Sequence, residues 1–261
     1  MAVKQMNDFS LTSPESSVTF IAIASGKGGV GKSTVTVNVA AALQRLGKRV
    51  GIMDADIYGF SIPSMLGIKE ELRKEQNQMH PIEHCGLQVM STGFFVPDNN
   101  PVMWRGPMLG KMLSTFFNDV KWAPLDYMII DLPPGTGDVA LSVHHKIPQC
   151  AQLIVTTPSD TASHVAARAG KMALQTNHRI LGVVENMSYF EAPSGEKHFI
   201  FGQGGGARLA EQLGTKLLAK IQITPFAQEP AEPLALTSIY PSETNNGILF
   251  TELAAYISGQ K

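Results

Sequence analysis

The sequence predicts an α/β fold built on a doubly wound, mostly parallel sheet, and two observations predict it. A glycine-rich loop at residues 26–34 stands between an apolar, β-branched run at residues 18–24 and a run of helical character at residues 35–43. Further apolar runs then alternate with helical segments along the rest of the chain. This alternation is typical of a parallel sheet that is covered by helices on both faces.

Length and composition set the outer limits of the prediction. The chain has 261 residues, 44% of them hydrophobic, and we expect residues 18–261 to form a single domain. Residues 1–17 are polar and are expected to be a flexible tail or the remnant of a linker. The formal net charge of -1 gives no overall attraction to nucleic acid or anionic lipid, so contact with DNA would need a local basic patch.

No membrane partner is expected, because no apolar run reaches the roughly 18 residues that span a bilayer. The two cysteines, Cys85 and Cys150, imply no disulfide framework, and the first residues do not resemble a secretory signal. We therefore expect a cytoplasmic location. Both thiols are expected to be ordinary buried side chains.

The glycine-rich loop has the composition of a phosphate-binding loop. Its glycines let consecutive backbone N–H groups turn toward one phosphate chain, and the following helix adds the partial positive charge of its N-terminus. Lys32 can reach the β- and γ-phosphates, and the Ser33 hydroxyl can ligate Mg²⁺. The predicted nucleotide-binding residues of the loop are Gly26, Lys27, Gly28, Gly29, Val30, Gly31, Lys32, Ser33 and Thr34.

The helix after the loop is expected to end at Gly47, because glycine favours helix C-termini. A second strand follows at residues 48–54. Ligands of such sheets bind beyond the carboxyl ends of the strands, so the residues that follow each strand are the candidates for a site. The later runs that we interpret as strands lie at residues 87–91, 127–131, 153–157, 180–184 and 217–223.

Carboxylates stand at two of these strand ends. Asp131 can hold Mg²⁺ directly or through water, and the alternative is an acid that caps a turn. Gly135, in the stiff turn that follows, can bring a backbone N–H against the γ-phosphate. Asp56 is the candidate that orients the attacking water, with Asp54 supporting Mg²⁺ or the loop, unless both are turn acids.

Other segments receive simpler predictions. The Asn186 amide, after a later strand, can pair with a purine edge or merely satisfy its own loop. Residues 202–206 are glycine-rich but lack the lysine and hydroxyl of a second phosphate loop, so a helix entry is expected. His144 and His145 are not expected to share a metal, since neighbouring helical residues point about 100° apart. Apolar spacing in residues 248–257 predicts a helix packed on the core.

Lys27 stands where an ordinary phosphate loop requires no lysine. With it, residues 27–33 match K-G-G-x-G-K-[ST], and the chain resembles the deviant Walker A P-loop ATPases, the group of MinD, ParA and the nitrogenase iron protein. The resemblance implies that Lys27 acts across a homodimer on the partner's nucleotide, and it places Pro225 in a loop over the adenine. Adenine is favoured over guanine because the chain has no N-K-x-D stretch. The candidate catalytic residues are then Lys27, Lys32 and Asp56, with Ser33 and Asp131 at the metal.

Longer strings at residues 54–59, 61–63, 104–107, 131–138 and 186–190 narrow the resemblance. Together they are similar to the Mrp/ApbC iron-sulfur cluster carrier family over roughly residues 18–258. In that family two protomers bind ATP and can carry an iron-sulfur cluster at their interface. The resemblance thus implies slow, dimer-dependent hydrolysis of MgATP, with a second copy of the chain and cluster-accepting apoproteins as partners.

The chain departs from that family at the cluster motif. Members with the motif follow M-S-Y-F with C-P-x-C, but here Ala192 and Gly195 replace the two cysteines. Thiolates normally hold such clusters, so no iron-sulfur ligand is expected at this motif. One cysteine per protomer can still supply two ligands across a dimer. The alternative function is a cluster-free, ATP-dependent regulator or scaffold that acts on a protein or DNA target.

Overall fold

The structure, a computed structural model, describes residues 11, 16–57, 59–75, 78–96, 106–147, 149–224 and 238–260. The strands in these ranges are β1 (Thr19–Ser25), β2 (Val50–Asp54), β3 (Lys74–Glu75), β4 (Gln78–Met79), β5 (Ile82–His84), β6 (Leu87–Ser91), β7 (Tyr127–Asp131), β8 (Ala151–Thr156), β9 (Ile180–Glu185), β10 (Phe190–Glu191), β11 (Lys197–His198) and β12 (Leu217–Lys220). The helices are α1 (Lys32–Arg45), α2 (Ile62–Met65), α3 (Gly106–Asn118), α4 (Asp138–Lys146), α5 (Asp160–Gln175), α6 (Gly205–Gln212) and α7 (Asn245–Ser258). A 3-10 turn, Thr92–Phe95, follows β6 directly.

Eight strands of the described ranges form one sheet in the order β12-β9-β8-β1-β7-β2-β6-β5. Neighbouring strands are parallel, except that β5 and β6 form an antiparallel hairpin. β1 lies near the centre, and later strands are added on both sides of it. The predicted doubly wound, mostly parallel sheet is therefore confirmed.

Both faces of the sheet are buried beneath helices, which is why β1 is apolar from Phe20 to Ala24, between a threonine and a serine at its ends. Phe20 and Ala22 pack into a core that they share with α3, α4, α5 and α6. Ile21 and Ile23 point to the other face and pack with α1 and α7. Polar side chains of the central strands are consequently confined to the strand ends.

The parallel register brings three predicted site segments to one edge of the sheet. Asp131, at the end of β7, pairs with Ile23 of β1 on one side and with Asp54 of β2 on the other. The chain leaves β1 after Ser25 and enters the glycine-rich loop at this same edge. We call it the loop edge, and the opposite end of the strands the far edge.

The strands predicted at 87–91 and 127–131 are confirmed residue for residue as β6 and β7. The other predicted strands differ from the observed ones by one to three residues at their ends. The structure adds the two-residue hairpins β3–β4 and β10–β11 and the short strand β5. These pieces are too short to produce a recognisable alternation in the sequence.

The expectation of two buried thiols is wrong for Cys85, which is exposed. Cys85 and Gly86 form the two-residue turn between β5 and β6, and both have positive φ, 51° and 73°. A tight turn of this kind leaves its side chains in solvent. Cys150 is buried just before β8, and burial raises the pKa of its thiol to about 12. Both cysteines stand at the far edge, because each precedes its strand.

A buried polar cluster also lies at the far edge. The rings of His144 and His178 are 4.4 Å apart between centroids, and the Thr176 hydroxyl lies 2.8 Å and 3.0 Å from their Nδ1 atoms. His144 also contacts the side-chain amide of Gln152. His145, the next residue of α4, is exposed. The two neighbouring histidines thus point to different surroundings, as predicted.

The two remaining helix predictions are confirmed. In α7 the side chains of Phe250, Leu253 and Ile257 are buried, although Ile248 is exposed. α6 begins at Gly205, within the glycine-rich run at residues 202–206, as the predicted helix entry requires.

Some predicted segments fall outside the described ranges. Pro225, the predicted neighbour of the adenine, is one of them, and so are Tyr58, Trp104 and Arg105 of the strings that carry the resemblance. Within the part of the chain that is described, no helix is long and apolar enough to cross a membrane.

Candidate active site

The glycine-rich loop joins β1 to α1, and its glycines are required for two different reasons. Gly29 and Gly31 have positive φ, 79° and 81°, which L side chains rarely adopt. Gly26 is required by packing, since an added Cβ would lie 2.2 Å from the backbone nitrogen of Ala166 in α5. α1 starts at Lys32, so its first backbone N–H groups face the loop. The loop therefore offers the backbone donors that an anion needs.

Lys32 lies between two carboxylates at the start of α1. Its Nζ is 2.8 Å from Asp131 Oδ2 and 3.2 Å from Asp56 Oδ2, and its side chain is only 6% exposed. Burial alone lowers the pKa of Lys32, but the charges of Asp131 and Asp56 outweigh burial and raise the pKa above its ordinary value. The Lys32 side chain is therefore a charged ammonium at neutral pH, and it lies where the loop ends and α1 begins.

Asp131 is the most heavily contacted acid of the site. It is fully buried, and its Oδ2 accepts a hydrogen bond from the Ser33 hydroxyl at 2.6 Å. The Thr36 hydroxyl, one turn further along α1, donates to Oδ1 at 2.7 Å. The carboxylate is thus fixed at both oxygens against the first turns of α1. The sequence predicted Ser33 and Asp131 separately as ligands of one metal ion, and those roles stay predictions, whereas Thr36 was not predicted.

This pair of oxygen donors fits Mg²⁺, which prefers carboxylate, hydroxyl and water oxygens. Ser33 and Asp131 are already in hydrogen-bond contact, so one ion at the loop can be reached from both. No group of three or more His, Cys, Asp or Glu in the described ranges is arranged to hold a metal. A magnesium ion at this place would therefore take its other ligands from phosphate oxygens and water.

Asp54 is fully buried and is held at both carboxylate oxygens. Oδ2 accepts a hydrogen bond from the Ser91 hydroxyl at 2.9 Å, and Oδ1 accepts one from the backbone N–H of Asp56 at 3.2 Å. Burial, together with the charge of Asp131, raises the pKa of Asp54 to about 8, although the hydrogen bond from Ser91 opposes that rise. Through its hydrogen bond to the Asp56 N–H, Asp54 supports the segment that carries Asp56.

Asn186 lies on the phosphate loop itself. Its side-chain nitrogen donates to the Val30 carbonyl at 2.9 Å, and an added Cβ at Gly31 would stand 2.0 Å from the same nitrogen. Glu185 beside it accepts hydrogen bonds from the Ser188 hydroxyl at 2.8 Å and from the backbone N–H at the start of α6 at 2.7 Å. The Asn186 side chain thus stabilises the phosphate loop through its hydrogen bond to Val30. Its contact with a purine edge stays a prediction.

Gly135 and Lys27 stand at the loop edge in different surroundings. The backbone N–H of Gly135, at φ 88°, donates to the Ser25 carbonyl at 2.8 Å and ties the turn after β7 to the start of the loop. Its contact with a γ-phosphate stays a prediction, and it requires that bond to be exchanged. Lys27 is exposed, as are Gly28 and Gly29. Its ammonium is accessible from outside the protomer, in contrast to that of Lys32.

The β10–β11 hairpin follows β9 at the loop edge and carries the two positions where the resemblance expects thiols. Ala192 and Gly195 lie in its turn, where the Gly195 N–H donates to the Ala192 carbonyl at 2.8 Å. Directly after β11, the side chains of Phe199, Ile200 and Phe201 are 44%, 61% and 45% exposed. The chain's two cysteines lie at the far edge, so the hairpin of one protomer has no thiol of its own nearby.

Several supporting residues were not predicted, although weak signals exist for them. Thr36 follows Lys32 by one helical turn, so its hydroxyl points to the same strand ends. Ser91 ends an apolar strand just as Asp131 does, and a polar residue at that place could have been included in the site. Glu185 ends an apolar strand directly before Asn186, and an acid at such a strand end could also have been included in the site.

Comparisons with known proteins agree with this geometry. Residues 17–257 match the family model described as ParA: NUBPL iron-transfer P-loop NTPase. A relative from Bacillus subtilis, named iron-sulfur cluster carrier protein, is 58% identical over 205 residues, which cover 78% of this chain and 58% of that protein. The chain therefore spans less than three fifths of the length of this relative.

Solved structures show the same fold. A nucleotide-binding protein from Archaeoglobus fulgidus in complex with ADP is 36% identical and superposes with a TM-score of 0.70, over 90% of this chain and 88% of that one. The cell division ATPase MinD of Pyrococcus furiosus is 21% identical, with a TM-score of 0.62 over 93% of this chain and 99% of that one. The family match covers the phosphate loop and the strand ends that carry Asp54 and Asp131, and the chain therefore belongs to the ParA family of P-loop NTPases, in the group of the iron-transfer proteins.

Proposed function

We propose that the chain is a MgATP-hydrolysing switch that works as a homodimer. The observation that carries the proposal is that carboxylate oxygens of Asp56 and Asp131 both lie within 3.2 Å of the Lys32 ammonium at the phosphate loop. Lys32 binds the β- and γ-phosphates, because phosphate oxygens compete with those carboxylates for its charge. Asp56, released from that pair, orients the attacking water.

Ser33 and Asp131 would hold a magnesium ion, which would supply positive charge against the phosphate oxygens when bound. The chain's own contribution is the placement of these oxygens: Thr36 holds the Asp131 carboxylate, and the first turn of α1 carries Ser33. The switch segment is the turn that contains Gly135, since its N–H can exchange between Ser25 and the γ-phosphate.

The exposed position of Lys27 supports dimerisation. Its ammonium is exposed at the loop, beside a phosphate site that Lys32 already serves from within the protomer. A second lysine at this place contributes to hydrolysis by reaching the nucleotide of a partner protomer. Two copies therefore face each other across their loop edges, with the nucleotides between them.

The first candidate for the cargo is an iron-sulfur cluster, which the dimer would deliver to protein clients. Its support is the family match and the name of the relatives. In this chain the ligands would have to come from Cys85, one from each protomer, because Cys150 is buried and burial raises the pKa of its thiol to about 12.

The second candidate is a cluster-free switch that binds and releases a protein or DNA target. The observation that favours it is the hairpin, where Ala192 and Gly195 stand at the family's thiol positions while Phe199, Ile200 and Phe201 present apolar surface at the loop edge. The position of both cysteines at the far edge is a second observation in support of this candidate.

Anaerobic reconstitution with iron and sulfide separates the two candidates. The wild type and the Cys85→Ser/Cys150→Ser double variant would be compared by visible absorbance and by iron per protomer. A cluster that the wild type holds and the double variant loses supports carriage. Failure of the wild type to hold iron, with MgATP binding intact, supports the cluster-free switch.

A gel shift then tests DNA as the target of a cluster-free switch. A shift that needs ATP and weakens with added salt supports a DNA target. No shift at low salt excludes DNA and leaves a protein target.

A further inference from the structure

Ser91 stands at the end of β6 and belongs to a chain of hydrogen bonds that ends at the proposed catalytic acid. Its Oγ accepts a hydrogen bond from the Gly93 N–H at 3.0 Å and donates to Asp54 Oδ2 at 2.9 Å. The other oxygen of Asp54 accepts the backbone N–H of Asp56 at 3.2 Å. Ser91 and Asp54 are both fully buried, so water does not compete for these bonds.

The turn that follows Ser91 also lies close to a residue that follows Asp56. An added Cβ at Gly93 would lie 2.6 Å from the ring of Phe60, which shows how closely the turn after Ser91 approaches that ring. Phe60 follows Asp56 by four residues. Residues 91–93 therefore contact Asp54 on one side of Asp56 in the sequence and lie close to the Phe60 ring on the other.

The position of the Asp56 carboxylate depends on where the backbone places this residue. Its Oδ2 lies 3.2 Å from Lys32 Nζ, so the carboxylate already points to the phosphate loop. A carboxylate that orients water must be placed within a fraction of an ångström, since a misplacement of about 1 Å can cost roughly 100-fold in rate. A fixed Asp54 is what holds the peptide N–H of Asp56 in place.

We propose that Ser91 is a positioning residue for ATP hydrolysis, which acts on Asp56 through Asp54. The inference rests on the proposed function, in which Asp56 orients the attacking water. Ser91 touches neither nucleotide nor metal. It fixes the Asp54 carboxylate, and through it the peptide of Asp56, so its removal lowers the rate of hydrolysis without weakening the binding of MgATP.

The test compares the steady-state ATPase kinetics of Ser91→Ala with those of the wild type. We expect kcat to fall about 10-fold to 100-fold while KM and the dissociation constant for MgATP stay within about twofold. Measured MgATP affinity also reports that the variant is folded. If Ser91→Ala does not fold, Ser91→Cys keeps the size of the side chain with a weaker donor, and its kcat should lie clearly below that of the wild type.

The neighbouring Thr92 provides a matched control. Its hydroxyl is also buried, but it has no hydrogen-bond partner among the residues that the structure describes. Thr92→Val removes this hydroxyl at constant shape and should leave kcat unchanged. Ser91→Thr restores a hydroxyl at position 91 and should recover most of the rate.

A double-mutant cycle tests the path through Asp54. If Ser91 acts through Asp54, the Ser91→Ala/Asp54→Ala variant loses no more activity than Asp54→Ala alone. A Ser91→Ala or Ser91→Cys enzyme with wild-type kcat overturns the inference. An Asp56→Asn enzyme with wild-type kcat overturns the proposed function itself, so the two failures are distinguishable.

Discussion

At the scale of single residues, the site is governed by how charges are paired inside a buried environment. Lys32 holds Asp56 and Asp131 together, and each of these acids is in turn held by neighbours on α1 or β2. Removing one member of such a group leaves the others uncompensated, and buried charges without partners are costly. Substitutions here therefore affect both ligand binding and stability.

Lys32→Ala should weaken MgATP binding by about 100-fold, since the loop loses its buried charge on the β- and γ-phosphates. It should also lower the melting temperature, because Asp56 and Asp131 lose their shared cation. Equilibrium titration with a fluorescent ATP analogue, well below the melting temperature, measures the first effect. Lys171→Ala, which removes an exposed lysine of α5, is the control; unchanged affinity in Lys32→Ala would refute the assignment of the loop.

The pH dependence of folding should carry the signature of His144. Burial first, and then the charges of His178 and His145, lowers the pKa of His144 to about 4. In the unfolded chain this histidine takes up its proton near pH 6.5, so the unfolded state binds more protons between about pH 6.5 and pH 4. The free energy of unfolding therefore falls as the pH is lowered through that range.

From pH 6.5 to pH 5, His144 should account for a loss of about 1–2 kcal/mol. Denaturant unfolding at several pH values measures this loss. In His144→Gln the decline over the same range should be shallower, although the variant is less stable at neutral pH. His164→Gln, at an exposed position of α5, should keep the wild-type slope; an equal slope in all three proteins would contradict the assignment.

At the scale of elements, glycines decide where helices approach other segments. Gly247, in the first turn of α7, faces the Pro241 carbonyl so closely that an added Cβ would lie 1.8 Å from it. The Gly247 N–H also donates a hydrogen bond to the Thr244 hydroxyl, which caps the helix, at 3.1 Å. The start of α7, which packs on α1, is therefore fixed by the small size of this residue.

Gly247→Ala should destabilise the protein by about 2 kcal/mol or more, because a backbone carbonyl cannot move aside as a flexible side chain can. Gly110→Ala is the matched control within α3, where an added Cβ meets no described atom within 4 Å. That change should stabilise by up to about 1 kcal/mol through helix propensity. Chemical denaturation of both variants decides the matter; similar effects of the two substitutions would show that the close approach is unimportant.

The elements also show what can be read from a sequence of this kind. The phosphate loop, Asp56 and Asp131 follow directly from apolar strands that end in glycine or acid, because local pattern and site coincide there. The supporting contacts do not follow from local pattern. Ser91 bonds an acid 37 residues away, and Ser33 one that is 98 residues away, so their partners depend on strand order and register. Cys85 was mispredicted because a two-residue turn has no hydrophobic pattern that signals exposure.

At the scale of the whole molecule, the two edges of the sheet carry different groups of residues. The loop edge carries the phosphate loop, the proposed catalytic acid and the apolar end of the β10–β11 hairpin. The far edge carries the histidine cluster and both cysteines. The proposed dimer uses the loop edge, so each active site is completed by residues of two protomers.

Mixing two inactive variants tests this arrangement. Lys27→Ala should retain MgATP binding but lose most hydrolysis, and Asp56→Asn should do the same. In a mixed dimer the site on the Lys27→Ala protomer keeps its own Asp56 and receives Lys27 from the partner, so one of two sites is complete. Equal mixing should restore about a quarter of the wild-type ATPase rate.

Titrating one variant into the other at fixed total protein, with phosphate release as the readout, measures the recovery. If Lys27 acts within its own protomer, no mixture exceeds the activity of the better single variant. Lys48→Ala mixed with Asp56→Asn serves as a control, since Lys48 lies at the far edge, before β2.

The turn at Cys85 has a practical consequence for such measurements. Of the two thiols in the chain, Cys85 is exposed, while Cys150 is buried with a pKa raised to about 12 and remains an unreactive thiol. A maleimide dye therefore attaches to the native protein at one defined point, on the side of the sheet away from the nucleotide. Two dyes of different colour, one on each protomer, would report by energy transfer when two copies come together and when they part, without any engineered cysteine near the chemistry.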